Sequence, residues 1–109
     1  MTYSKYEVVV VPFPFTENPG KQKPRPVVIL SNQAFSRETG NFLGLMISST
    51  GKHTVFDTEI QDLESVGLVF ESWLKPKVAT LPVMFVKISL GTLSKADQQA
   101  MDRLISAIT

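Results

Sequence analysis

"VVVVPFPFTENPGKQKPRPVVILSN", residues 8–32, places two apolar, β-branched runs on either side of a tract of turn formers. Runs of four to eight such residues bounded by Pro, Gly and Asn are strand signals. The tract between them, "FTENPGKQKP" at 15–24, is long for a hairpin, and connections of that length often carry function. It holds Lys21 and Lys23 against a single acid, Glu17, and Phe15 at its base offers a stacking face. Arg25 stands between Pro24 and Pro26 at the mouth of the second run. Proline has no N–H, so Pro26 is expected to begin a strand and not to sit inside a central one. A residue before proline is pushed into extended geometry, which applies to both Lys23 and Arg25. Two readings stay open: the prolines merely protect a strand start and Arg25 is a solvated charge, or a guanidinium is being held still.

Outward from this stretch, further apolar runs lie at 42–48, 66–70 and 83–90. An alternating run at 54–60 sets Val55, Asp57 and Glu59 on one face, and 75–81 is a lesser strand candidate. Short strands this closely spaced, with no long helices between them, predict a mainly β fold, a small antiparallel barrel. The chain ends on a helix. Ser94 followed by Asp97 is a capping-box pattern, and Met101, Leu104, Ile105 and Ile108 form one apolar stripe. A helical turn is possible at 33–38. There is no repeat, linker or low-complexity tract, so residues 1–109 are expected to form one domain.

Composition excludes several classes of function. With 43% hydrophobic and 19% charged residues the chain reads as globular. The net charge of +1 does not announce a nucleic-acid partner. Absence of cysteine rules out disulfides and a thiolate nucleophile, and fits a reducing cytoplasm. One histidine and scattered acids leave few metal ligands, so no metal or cofactor is expected. The start shows no signal pattern, and no run approaches the roughly 18 apolar residues that span a bilayer, so no membrane association is expected.

The second polar cluster is "ISSTGKH", 47–53, where an apolar run ends in Ser48, Ser49 and Thr50 before Gly51, Lys52 and His53. Hydroxyls and backbone N–H groups at a strand end suit phosphate oxygens. An ordinary polar turn has the same composition. The segment 58–71 carries Glu59, Asp62, Glu64 and Glu71 with no base and reads as a solvated surface; if RNA binds, it should avoid that surface.

The ordered set "VVVVPFPF", "KPRPVVILSN", "TGNFLGLMISS", "VGLVFESWLKPKVATL" and "ISLGTLS" resembles the MazF/PemK toxins of prokaryotic toxin–antitoxin systems, their PemK-like branch above all. The similarity runs over roughly residues 6–106. It implies an SH3-like antiparallel barrel with a C-terminal α-helix, assembled as a homodimer. The implied activity is cofactor-free, metal-independent endoribonuclease cleavage of single-stranded RNA at short sequences. A cognate antitoxin would neutralise it by threading a flexible segment across the RNA groove. The family's essential arginine falls on Arg25 and its catalytic hydroxyl, usually threonine, on Ser48, with Ser49 or Thr50 in a neighbouring polar role. Ser72 aligns with an aspartate of one branch. The family's upstream glutamate is absent; here that stretch reads "GKQK".

The implied chemistry is attack of a 2′-OH on the adjacent phosphate, giving a 2′,3′-cyclic phosphate and a 5′-OH. Arg25 would clamp the phosphoryl oxygens. Ser48 would donate to one of them, and Glu17 or His53 would be the base. Lys21, Lys23, Lys52 and Lys75, with His53, would meet RNA phosphates, and Phe15 a base. The alternative within the same fold is a catalytically inactive PemK-like binding or scaffold protein. A gyrase-poisoning relative of the CcdB type relies on a C-terminal aromatic tail, whereas this chain ends "SAIT".

Overall fold

A run of four valines suits a strand covered on both faces, and Val8, Val9 and Val11 are fully buried. The computed structural model describes residues 3–13 and 23–109. Strand β1 (Glu7–Phe13) pairs antiparallel with β2 (Lys23–Ile29), Val8 opposite Val28 and Val11 opposite Arg25. A short helix α1 (Gln33–Thr39) follows, with the Asn32 side chain accepting from the Phe35 N–H at 2.9 Å and Gly40 closing it in the left-handed region. Strand β3 (Asn41–Ser48) then returns along β2. The two-residue β4 (Thr58–Glu59), the long β5 (Trp73–Pro82) and β6 (Ile88–Thr92) complete a sheet ordered β4-β5-β3-β2-β1-β6. Every pairing is antiparallel. The result is a curled six-stranded half-barrel closed by helix α2 (Lys95–Ile108), the mainly β architecture the sequence predicts.

The sheet separates two apolar clusters. Val8, Val28, Leu45, Ile47 and Leu74 pack with Met101 and Leu104 of α2, and Ile105 and Ile108 lie against them, so the predicted stripe is the packed face. Val9, Val11, Val27, Ile29, Phe42 and Leu81 form the other cluster. Burying residues of this size contributes about 1.5–3 kcal/mol each relative to exposure. The capping box is only half formed. Ser94 Oγ accepts from the Asp97 N–H at 3.2 Å, but the buried Asp97 carboxylate turns away from the helix start. It accepts the backbone N–H groups of Gln61 and Asp62, both at 2.9 Å, and so ties the 60s segment to α2.

Three strand expectations need correction, and a fourth holds more strongly than composition suggests. Residues 66–70 form no strand: Gly67 takes φ +61° after a 3₁₀ turn (Glu64–Val66), and the N–H groups of Gly67 and Leu68 bond back to Glu64 and Leu63. Residues 83–85 form another 3₁₀ turn, and pairing resumes only at Ile88, running on through Thr92. In 54–60 only Thr58 and Glu59 pair, and Asp57 is buried while its expected face-mate Val55 is exposed. The lesser candidate at 75–81 is the heart of β5, the longest strand among the described residues. Pro24 and Pro26 also lie inside β2, where they pair with β1, because β3 does not join β2 until Val27.

Candidate active site

The β2–β3 ladder runs Ile29 opposite Gly44, Val28 opposite Leu45 and Val27 opposite Met46, and stops there. Pro26 has no N–H with which to extend it. Carrying the register two residues further would set Arg25 opposite Ser48, at the point where the strands part. A cleft of about 170 Å³ opens at this point. Arg25 and Pro26 of β2, Ile47, Ser48 and Ser49 at the end of β3, and Leu68, Val69, Phe70 and Ser72 line it. Arg25 is half-buried, with its Nε enclosed. Ser48 Oγ accepts the Thr50 N–H at 3.2 Å and shares a hydrogen bond with the Thr50 hydroxyl at 2.9 Å. Ser72 is buried and donates its hydroxyl to the Phe70 carbonyl at 2.8 Å.

The hydroxyl loop is held from below by an ion pair. Register between β3 and β5 slips between Leu45 opposite Val78 and Ile47 opposite Leu74, leaving Lys75, Pro76 and Lys77 as a bulge. Proline is accommodated in strands at bulges, and a bulge re-aims a side chain. Here Leu74 and Lys75 are both buried in succession. Lys75 Nζ meets Asp57 Oδ2 at 2.7 Å and also donates to the Gly51 carbonyl. Asp57 further accepts the His53 N–H at 2.6 Å, the Thr54 N–H at 3.2 Å and the Thr54 hydroxyl at 3.0 Å. Burial alone would raise the Asp57 carboxyl. The Lys75 ammonium and the His53 and Thr54 donors more than offset it and hold the group well below the usual carboxylate range.

The sequence expectations divide accordingly. Arg25, Ser48, Ser49 and Ser72 share the cleft, with Thr50 bonded to Ser48. Lys23 lies exposed on the same face of β2 as Arg25, two residues away. Lys52 and the His53 ring are exposed on the loop beyond, and His53 contributes its backbone to Asp57. Lys75 needs correction: it is buried and neutralised by Asp57, so it offers no charge to a phosphate. Phe15, Glu17 and Lys21 lie outside the described residues. The wall formed by Leu68, Val69 and Phe70 was not anticipated, because 66–70 reads as a strand; Gly67 is the signal of a turn there. Among the described residues no group of three or more His, Asp or Glu could hold a metal ion. No helix among them is long and apolar enough to cross a membrane.

The architecture is thus a curled antiparallel half-barrel with an arginine and a hydroxyl cluster lining one cleft where two strands part. The family model for the PemK-like, MazF-like toxin of type II toxin–antitoxin systems matches residues 4–109, and the chain belongs to that family. Among solved structures it is similar to an endoribonuclease in complex with its cognate antitoxin from a mycobacterial species, with TM-score 0.77, 13% identity, and 96% of this chain and 92% of that one covered. It is also similar to MazF in the MazE–MazF complex of Deinococcus radiodurans, with TM-score 0.74, 16% identity, and 99% and 95% coverage. The Mycobacterium tuberculosis toxin MazF-mt6 aligns with TM-score 0.69, 19% identity, and 91% and 93% coverage. Identities this low speak to the fold alone. Among curated protein sequences, none matches this chain.

Proposed function

We propose that this toxin is an endoribonuclease that cleaves single-stranded RNA without a metal ion, using Arg25 and Ser48. The observation that carries the reading is that the two residues line one cleft, at the point where the β2–β3 ladder ends. The reacting 2′-oxygen forms a bond to phosphorus as the P–O5′ bond breaks. The 2′-OH proton passes to a base, and the 5′-oxygen takes up a proton. The products are a 2′,3′-cyclic phosphate and a 5′-OH. Negative charge gathers on the non-bridging oxygens in the transition state. A planar guanidinium meets two of those oxygens at once. Its proton can also pass to the departing alkoxide, which is more basic than neutral arginine.

Ser48 Oγ accepts the Thr50 N–H and shares a hydrogen bond with the Thr50 hydroxyl; when Thr50 is the donor in that bond, the Ser48 proton is left for a phosphate oxygen. The base is unassigned: the ring of His53 is exposed, and Glu17 lies outside the described residues. In keeping with family membership and with the antitoxin complexes among its structural relatives, the protein acts in the cytoplasm as a homodimer under the control of a cognate antitoxin.

The test is cleavage of RNA oligonucleotides in excess EDTA. Arg25→Ala and Ser48→Ala should each lower the rate on the order of 10²–10³-fold, as loss of an oxyanion donor does. Full activity in Arg25→Ala would falsify the reading.

A further inference from the structure

We infer that Phe70 is a base-stacking residue of this cleft, holding the nucleobase next to the phosphate that Arg25 and Ser48 engage; the inference rests on the ribonuclease reading above. Phe70 is 75% exposed and Val69 85% exposed. A single exposed apolar residue carries no meaning, but here the backbone imposes the exposure. The Leu68 N–H is bonded to the Leu63 carbonyl at 3.0 Å, the Phe70 carbonyl is pinned by the Ser72 hydroxyl, and the Ser72 carbonyl accepts the Ile60 N–H at 2.9 Å. The aromatic ring is therefore presented by a held segment.

What it is presented beside selects the ligand. The same cleft is lined by one guanidinium and by the hydroxyl-bearing Ser48 and Ser49, with Arg25 supplying the charge. A nucleotide is the ligand that joins an anionic phosphate to a flat apolar ring at a short, fixed separation. The cleft, about 170 Å³, is open to solvent, so a base stacked on the exposed Phe70 ring need not be enclosed. Charge sets the orientation. Glu71, exposed beside Phe70, repels a phosphate, so the phosphate stays at Arg25 and the base lies at Phe70. The segment 58–71 thus does meet RNA, through its apolar tip and not its acids.

The probe is a mixed-sequence 2′-O-methyl oligoribonucleotide carrying 2-aminopurine, whose blocked 2′-oxygens prevent cleavage. Wild type and Phe70→Tyr should quench its fluorescence. Phe70→Ala should lose the quench, bind about tenfold more weakly and show a similar rise in KM on cleavable RNA. Unchanged affinity and quench in Phe70→Ala, with wild type cleaving RNA, would overturn the stacking role and leave the ribonuclease reading standing. A Phe70-dependent quench with no cleavage by wild type would support stacking and sink the catalytic reading. If Phe70→Ala alters the sedimentation coefficient but not RNA affinity, the residue is a contact between copies and the proposal fails.

Discussion

Lys75 Nζ lies 2.7 Å from Asp57 Oδ2 in a pair that is almost wholly buried, directly beneath the loop that carries Ser48, Ser49 and Thr50. Two charges removed from water cost several kcal/mol each, and only close geometry with further hydrogen bonds offsets this. Asp57 has those bonds from His53 and Thr54, and Lys75 has the Gly51 carbonyl. The pair therefore sets the course of the chain from Gly51 to Asp57.

Lys75→Met leaves Asp57 buried without its cation and should destabilise the protein by about 3–5 kcal/mol in urea unfolding. The salt dependence of RNA binding should not change in this variant. Lys23→Ala, which removes an exposed cation beside Arg25, should lower that slope by about one phosphate contact. A reduced slope in Lys75→Met would show that Lys75 reaches RNA after all.

Acid should act through the same pair. The Asp57 carboxyl is held down in the folded state, whereas the unfolded chain has the ordinary value of about 3.9. The stability it contributes is thus complete above that value and is lost as pH falls below it toward the folded value. Melting temperature measured from pH 7 down to pH 2 should drop steeply at the acid end for wild type. Asp57→Asn should be less stable at pH 7 and show a shallower acid limb; equal slopes would place the acid sensitivity in other carboxylates.

Gly91 sits at the β1–β6 irregularity with φ +140°, and a Cβ there would come within 2.2 Å of the Ser65 carbonyl oxygen. Backbone has no slack to give at that distance. Gly91→Ala should therefore cost at least about 3 kcal/mol, read as a lowered melting temperature and reduced soluble yield. A wild-type melting temperature would mean that β6 does not press on the 3₁₀ turn in solution.

Arg25→Lys separates charge from shape. Lysine keeps the positive charge but lacks the planar fork. RNA affinity at low salt should stay near that of wild type while single-turnover cleavage falls on the order of 100-fold. A lysine variant that cleaves like wild type would show that point charge alone suffices.

Much of the fold was legible because burial leaves local marks. The run at 8–11 is apolar at every position, as a strand covered on both faces must be, and the 101–108 stripe follows the helical period. The reading of 66–70 as a strand went wrong because it was judged on composition, and pairing is not local; on the same ground 75–81 was ranked the lesser strand candidate, yet it lies within the longest described strand. Val66, Leu68 and Phe70 look like strand residues, but Gly67 turns the chain. Pro76 looks like an interruption, but β5 absorbs it as a bulge between two long pairings. Lys75 was expected to meet phosphate as a solvated cation, but at the bulge in β5 its side chain is turned inward.

Taken alone, the chain of residues determined that Arg25 would be held in extended backbone between two prolines, that a hydroxyl cluster would end an apolar strand, and that an amphipathic helix would close the fold. Those are consequences of torsion angles and periodicity, which neighbours along the chain control. Only the tertiary structure decided that Arg25 and Ser48 line one cleft, that Phe70 lines it with them, and that Lys75 supports the loop from inside. Each of those depends on strand register or on hydrogen bonds between distant segments, which no local pattern encodes.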